Sequence, residues 1–133
     1  MKYILLPFVA WIVSGSLKFF INALKQKSFR DAKKLIGYGG LPSTHTTIIS
    51  SAVFLNGFSE GFFQSTFTLG LAVMMLFIMD AHTLRRKVGE HAKILNQLQD
   101  KVSLRERMGH TKLEITCGLI LGICIGYVFA NWL

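Results

Sequence analysis

The chain has 133 residues, of which 51% are hydrophobic and 17% charged; this makes a single domain too apolar for a water-soluble protein of its size. Its net charge of +8 would suit a nucleic-acid binder, but the cations sit beside hydrophobic stretches, as they do in membrane proteins facing an anionic leaflet, so no nucleic-acid partner is expected. Cys117 and Cys124 would stand two turns apart on one helix, roughly 10 Å of rise, too far for a disulfide; they read as small apolar packing residues.

In chain order, residues 4–24 are apolar apart from Lys18 and a few Ser and Asn, long enough to cross a hydrocarbon core of about 30 Å. Met1-Lys2 before this run imitates a signal peptide, yet no small-residue cleavage site closes it, and an uncleaved first span is expected. Gly39-Gly40-Leu41-Pro42-Ser43-Thr44-His45 reads as a loop turning into a helix, capped by Ser43 or Thr44, with first-turn amides free to meet an anion. From Thr46 to Met79 the only formal charge is Glu60. The turn residues of Asn56-Gly57-Phe58-Ser59-Glu60-Gly61 divide that stretch into two short spans joined by a hairpin. Val88, Ala92, Leu95, Leu98 and Val102 then repeat at helical spacing among polar residues, predicting an amphipathic helix on the interface or capping the bundle. Residues 113–133 form the last span, and Gly118, Gly122 and Gly126 align on one face for close helix contact.

Five of the fifteen Lys and Arg fall in residues 25–34 and eight in residues 85–112. With four spans both basic segments lie on one side, which the positive-inside rule makes cytoplasmic, and both termini face outward. A bacterial inner (plasma) membrane is the expected location. Reading residues 46–79 as one long helix would split the basic segments across the membrane, against the charge bias.

Three polar clusters therefore gather on one face: Pro42 to His45, Asp80 to Arg86, and Gly109 to Glu114. His45, in the first turn of its helix, could donate a proton to a leaving oxygen, or could simply be an interfacial residue beside a helix cap. Arg85 and Arg86 end the third span in this reading, where they would bind a phosphate or snorkel to the lipid headgroups. Asp80 would pair with one of them and hold its guanidinium. His110 and Glu114, four residues apart, share a face if the helix begins by His110. Glu114 could then orient the imidazole and leave its other nitrogen to attack phosphorus, or could merely offset the helix dipole. Asp80 with His82 and His91 suggests a metal site but lacks a tight multi-ligand signature. Lys18 could snorkel or reach a phosphate.

Taken together, Pro42-Ser43-Thr44-His45, the Arg85-Arg86 pair and His110-Thr111-Lys112-Leu113-Glu114 leading into Gly118 and Gly122 resemble the divergent branch of the type 2 phosphatidic acid phosphatase superfamily, also described as acid phosphatase/vanadium-dependent haloperoxidase-related. The resemblance covers about residues 10–130. It implies His45 as the acid, His110 as the nucleophile that forms a phosphohistidine, Glu114 as its orienting carboxylate, and Arg85 or Arg86 as a phosphate clamp. Ser43, Thr44 and Lys18 join the phosphate-binding set, with Asp80 in support. The sequence departs from the superfamily pattern in four respects. Thr44 stands for the usual glycine, Glu114 for aspartate, and the Arg-to-His spacing is expanded. Arg85 to His91 keeps that spacing, but Leu95 occupies the carboxylate position. There is no clear copy of the first motif, for which Lys18 and Arg30 are the available substitutes.

The expected fold is an all-α integral membrane protein with about four transmembrane helices and a short amphipathic interfacial helix. The expected function is a lipid-phosphate phosphatase with no required cofactor, acting on a phosphomonoester lipid such as phosphatidylglycerophosphate or phosphatidate at the cytoplasmic face. The rival readings are a non-catalytic membrane protein that keeps an anionic lipid headgroup site, and a metal-dependent phosphatase using Asp80 and His82. The small size leaves room for a homo-oligomer in which a second protomer completes the site.

Overall fold

A computed structural model describes residues 1–26, 40–98 and 103–132. Within them the chain is helical: α1 (Lys2–Gln26), α2 (Thr44–Glu60), α3 (Ser65–Met79), a π-helical turn (Asp80–Leu84), α4 (Arg85–Leu98) and α5 (Lys112–Trp132). Gly39, Arg30, most of the basic stretch at 25–34, and Val102 lie outside the described residues.

Many small polar side chains lie in the interior and many large apolar ones on the surface. Ser14, Ser43, Thr46, Thr47, Ser50 and Ser51 are buried, while Ile4, Phe8, Trp11, Ile12, Leu69, Met75, Leu76 and Ile120 are exposed. Water would make such a surface aggregate; lipid tails make it the favoured one. Three helical stretches are long and apolar enough to cross a membrane, Lys2–Lys25, Ser65–Leu98 and Lys112–Trp132. The fourth bundle helix, α2, has 17 residues, about 26 Å of rise, and is the most enclosed, packed between α1, α3 and α5.

α2 can be buried because its hydroxyls turn back on its own backbone. Thr47 Oγ1 donates to the Ser43 carbonyl at 2.9 Å, Ser50 Oγ to Thr46 at 2.6 Å and Ser51 Oγ to Ile48 at 2.8 Å, which leaves these side chains small and satisfied. Against them runs the glycine stripe of α5. A Cβ on Gly118 would stand 2.6 Å from the Ser43 carbonyl oxygen, and one on Gly126 2.8 Å from that of Ser51. On Gly122 it would collide with Ser50 Oγ and stand 2.7 Å from the Thr47 carbonyl oxygen. The two backbones thus lie side by side and parallel, N-terminus to N-terminus. Running antiparallel to both, α1 starts where they end, since Lys2 Nζ donates to the Ala130 carbonyl and Tyr3 Oη to Glu60 Oε1 at 2.7 Å. Two apolar clusters complete the packing, Leu6 with Leu55 and Phe129, and Val53 with Phe67 and Met74.

Two boundaries differ from expectation. Of the expected turn stretch 56–61 only Gly61, with φ of +109°, leaves the helix; Gly57 stays helical and is used for clearance, since a Cβ there would lie 2.7 Å from the Phe62 ring and 2.8 Å from Phe67. Arg85 and Arg86 do not end a helix. The π-helical turn, closed by the Arg85 amide donating to the Asp80 carbonyl, carries α3 into α4 without a break, so no helix C-terminus faces the two guanidinium groups. The amphipathic segment forms as α4, as a continuation of the third span.

Candidate phosphoryl-transfer site

The N-termini of α2 and α5 meet at one end of the bundle, beside the C-terminal half of α1 and the π-helical turn. Ser43 caps α2: its Oγ accepts from the Thr46 hydroxyl at 2.9 Å and from the Thr46 amide at 3.4 Å, while its carbonyl takes the Thr47 amide at 2.9 Å. The Ser43 amide donates to the Glu114 carbonyl at 2.9 Å, which ties the start of α2 to the first turn of α5. Thr44 and His45 open α2, so their amides point out of the helix start, the end where the dipole favours an anion.

α5 begins with a reciprocal cap. The Thr111 amide donates to Glu114 Oε2 at 3.0 Å, and the Glu114 amide donates to Thr111 Oγ1 at 3.2 Å, the arrangement of a capping box. The same carboxylate oxygen receives His110 Nδ1 at 3.1 Å. His110 therefore precedes the helix instead of sharing a helical face with Glu114; the pair forms because the capping residue at the third helical position reaches backwards. Both residues are buried, at 8% and 7% exposure, and rotating the imidazole would break its bond to Glu114.

Burial pushes the His110 pKa below its ordinary 6.5; the Glu114 contact opposes this, and the Lys18 and Arg85 charges reinforce it. The ring is thus held neutral at pH 7, with the proton on Nδ1 toward Glu114 and the Nε2 lone pair available.

The ring of His45, which is exposed, stands 6.1 Å from that of His110, centroid to centroid, tilted by 57°. The charges acting on His45 are those of Arg85, His110, Lys18 and Asp80. Arg85 donates from Nε to Asp80 Oδ2 at 2.8 Å, which fixes the guanidinium plane and leaves both terminal nitrogens for a ligand. Lys18, half-buried on α1, acts electrostatically on His45, His110 and Glu114. Arg86 does not join this group; it is exposed and lines a separate cavity with Lys93 and Arg107. His91 is exposed on α4. Among the described residues no three His, Cys, Asp or Glu side chains converge in a way that could hold a metal ion, and none of them stands as a third ligand beside Asp80 and His82.

One set of contacts has no counterpart in the sequence reading. The π-helical turn grips the backbone of His110 on both sides, with the His110 amide donating to the Ala81 carbonyl at 3.0 Å and His82 Nδ1 lying 3.4 Å from the His110 carbonyl oxygen. Gly109, at φ +83°, makes room for this: a Cβ there would come within 2.8 Å of Arg86 Cγ and 3.0 Å of the Ala81 oxygen. A glycine directly before the histidine was the one signal available.

The sequence profile described as the Divergent PAP2 family matches residues 1–125. This chain belongs to that family. A relative in Bacillus subtilis (strain 168), the uncharacterized membrane protein YuiD, is 24% identical over an alignment of 112 residues that covers 69% of this chain and 71% of the relative. No solved structure matches the chain. Membership gives the chain a phosphatase-related ancestry and an integral membrane setting, in keeping with its three membrane-length apolar helices.

Proposed function

We propose that the protein is a lipid-phosphate phosphatase that works through a phosphohistidine on His110. The observation that carries this reading is the buried His110–Glu114 pair at 3.1 Å, facing His45 at 6.1 Å within reach of the Arg85 and Lys18 charges. A neutral imidazole with one nitrogen fixed and the other free is the form needed for nucleophilic attack.

In the first step Nε2 of His110 forms a bond to phosphorus as the bond to the ester oxygen breaks, and His45 in its protonated form gives that oxygen its proton. Glu114 stabilises the positive charge that develops on the His110 ring. The terminal nitrogens of Arg85, the Lys18 ammonium and the first amides of α2 surround the equatorial oxygens, where charge spreads. In the second step neutral His45 removes a proton from water, the hydroxyl attacks phosphorus, and the N–P bond breaks to return His110 and release phosphate. Ser43 builds the cradle through its cap, and Thr44 contributes its amide.

The substrate fitting this placement is a phosphomonoester lipid of the phosphatidate or phosphatidylglycerophosphate kind. Its apolar tails would stay among the exposed side chains of the bundle while its headgroup meets the polar end. The cation bias puts that end at the cytoplasmic face. Purified protein in mixed micelles should release phosphate from such lipids, and His110→Ala should reduce release to background while the helical circular-dichroism spectrum is kept. Undiminished turnover by a folded His110→Ala protein overturns the mechanism.

A further inference from the structure

Beside the segment that leads into His110 lies a second concavity, a cavity of about 350 Å³ bordered by Arg86, Lys93 and Arg107, with Glu90 and Glu106 also on its wall. Lys18, His45, Arg85 and Glu114 take no part in it. The cavity is held open by a latch. The Asn96 side chain acts as a strand of backbone would: its Oδ1 accepts the Leu104 amide at 2.8 Å, and its Nδ2 donates to the Leu104 carbonyl at 2.8 Å and to Glu106 Oε1 at 2.9 Å. Gly89 lets the same segment close in from another point, since a Cβ there would collide with the Glu106 carbonyl oxygen. Two contacts on α4 thus fix the chain that presents Arg107.

The acids on the wall already have partners, Lys87 Nζ on Glu90 at 2.7 Å and Asn96 on Glu106 at 2.9 Å. The cations do not: Arg86, Lys93 and Arg107 form no salt bridge among the described residues. Three cations against two carboxylates leave the wall of this hollow net positive, which favours an incoming anion. Two of them are guanidinium groups, whose planar forks match phosphate oxygens. The level is suitable as well. The apolar face of the third span gives way to charge at Asp80, so α4 stands at the depth of lipid headgroups or just beyond it.

We propose that this cavity is a second phosphate-binding site, separate from the His45–His110 pair, which takes a phosphate group carried on a membrane lipid headgroup or free in solution. It does not depend on turnover at His110. Binding is measured on the full chain in an uncharged detergent, first with inorganic phosphate by calorimetry. The wild-type protein should bind two phosphates per chain. Lys93→Gln combined with Arg107→Gln should lose one of them, with affinity falling roughly tenfold or more, and Arg85→Gln should lose the other. The charge-conserving Lys93→Arg variant should keep both, which separates loss of charge from loss of fold.

Native mass spectrometry with phosphatidylglycerol, a phosphodiester that carries charge but no monoester, identifies the source. Retention by wild type and loss in the double variant assigns the site to headgroups. No retention, with the second inorganic phosphate still bound, assigns it to free phosphate. Any phosphate stoichiometry that the Lys93→Gln, Arg107→Gln protein keeps with unchanged affinity overturns the site, whereas a single phosphate that this variant loses supports it and counts against the His110 reading instead.

Discussion

In the proposed mechanism His110 works through Glu114, one of whose oxygens makes two contacts. It closes the cap of α5 on the Thr111 amide at 3.0 Å and receives His110 Nδ1 at 3.1 Å, so the first turn of the last helix and the orientation of the ring are a single structural decision. The pH consequence has a definite sign. Burial lowers the His110 pKa below 6.5 and Glu114 partly restores it, so kcat/KM should fall on the acid side as the nucleophile takes a proton, and fall again on the alkaline side as His45 loses the proton it must donate. The unfolded chain holds the His110 proton more tightly than the folded one. Stability from this group is therefore complete above pH 6.5 and declines as the pH drops through the lowered folded value. Glu114→Gln removes the restoring charge: the acid limb should move to still lower pH while kcat falls about 100-fold or more, because the developing imidazolium loses its counter-charge. An acid limb that stays in place, read from a kcat/KM profile of the variant, would separate His110 from the observed titration.

The glycine stripe of α5 and the hydroxyl-lined face of α2 form one unit, and neither makes sense without the other. α2 contributes almost nothing to lipid contact. Its serines and threonines bond back to its own turns, which keeps the face thin enough for another backbone to approach. The helix-propensity gain of replacing Gly by a larger residue, about 1 kcal/mol, is outweighed at Gly122, where a Cβ meets Ser50 Oγ and the Thr47 oxygen and Ser51 nitrogen at 2.7 and 2.9 Å. Two of those atoms are backbone and cannot move aside alone. Gly122→Leu should destabilise the bundle by about 1–3 kcal/mol or more, read as a lowered melting temperature in detergent, and should cost activity too, since separating α2 from α5 pulls Ser43 from the Glu114 carbonyl. Gly15, inside α1, has open space around its Cβ position, and Gly15→Ala should keep or raise the melting temperature by the propensity gain.

For the whole molecule, the hairpin of α2 and α3 decides the arrangement, because it returns the chain to the end where α1 finishes and α5 begins. Phe63, fully exposed just after the Gly61 turn, and Leu104 then mark opposite ends of the bundle. With Cys117 and Cys124 replaced by serine or alanine, a cysteine at position 63 should react with an impermeant maleimide added outside intact cells, and one at 104 only after permeabilisation. Labelling of both from the same side would refute the bundle topology; labelling with the sides exchanged would put the site on the outer face. The Ser65–Leu98 stretch has 34 residues, about 50 Å of helix against roughly 30 Å of hydrocarbon, which carries α4 past the core toward the aqueous side with its cations and the second cavity.

Much of this was legible in the sequence because it rests on local chemistry. Apolar runs long enough to span, the four-residue glycine period, a serine before a helix and the His110–Glu114 interval each state their consequence within one or two turns of chain, as does the grouping of cations that puts the polar clusters on one side. Tertiary packing decided the rest, since each point is a contact between segments distant in sequence. Arg85 rather than Arg86 faces the histidines because a π-helical turn, set by no residue pattern, fixes the rotation of α4 relative to α3. His82 lies against the His110 backbone because Gly109 lets the segment before α5 close on the π-helical turn. The sequence by itself determined that the chain is a membrane bundle with one polar end; only the fold determined which charges at that end converge, because convergence depends on helix rotation and close approach, which no single segment encodes.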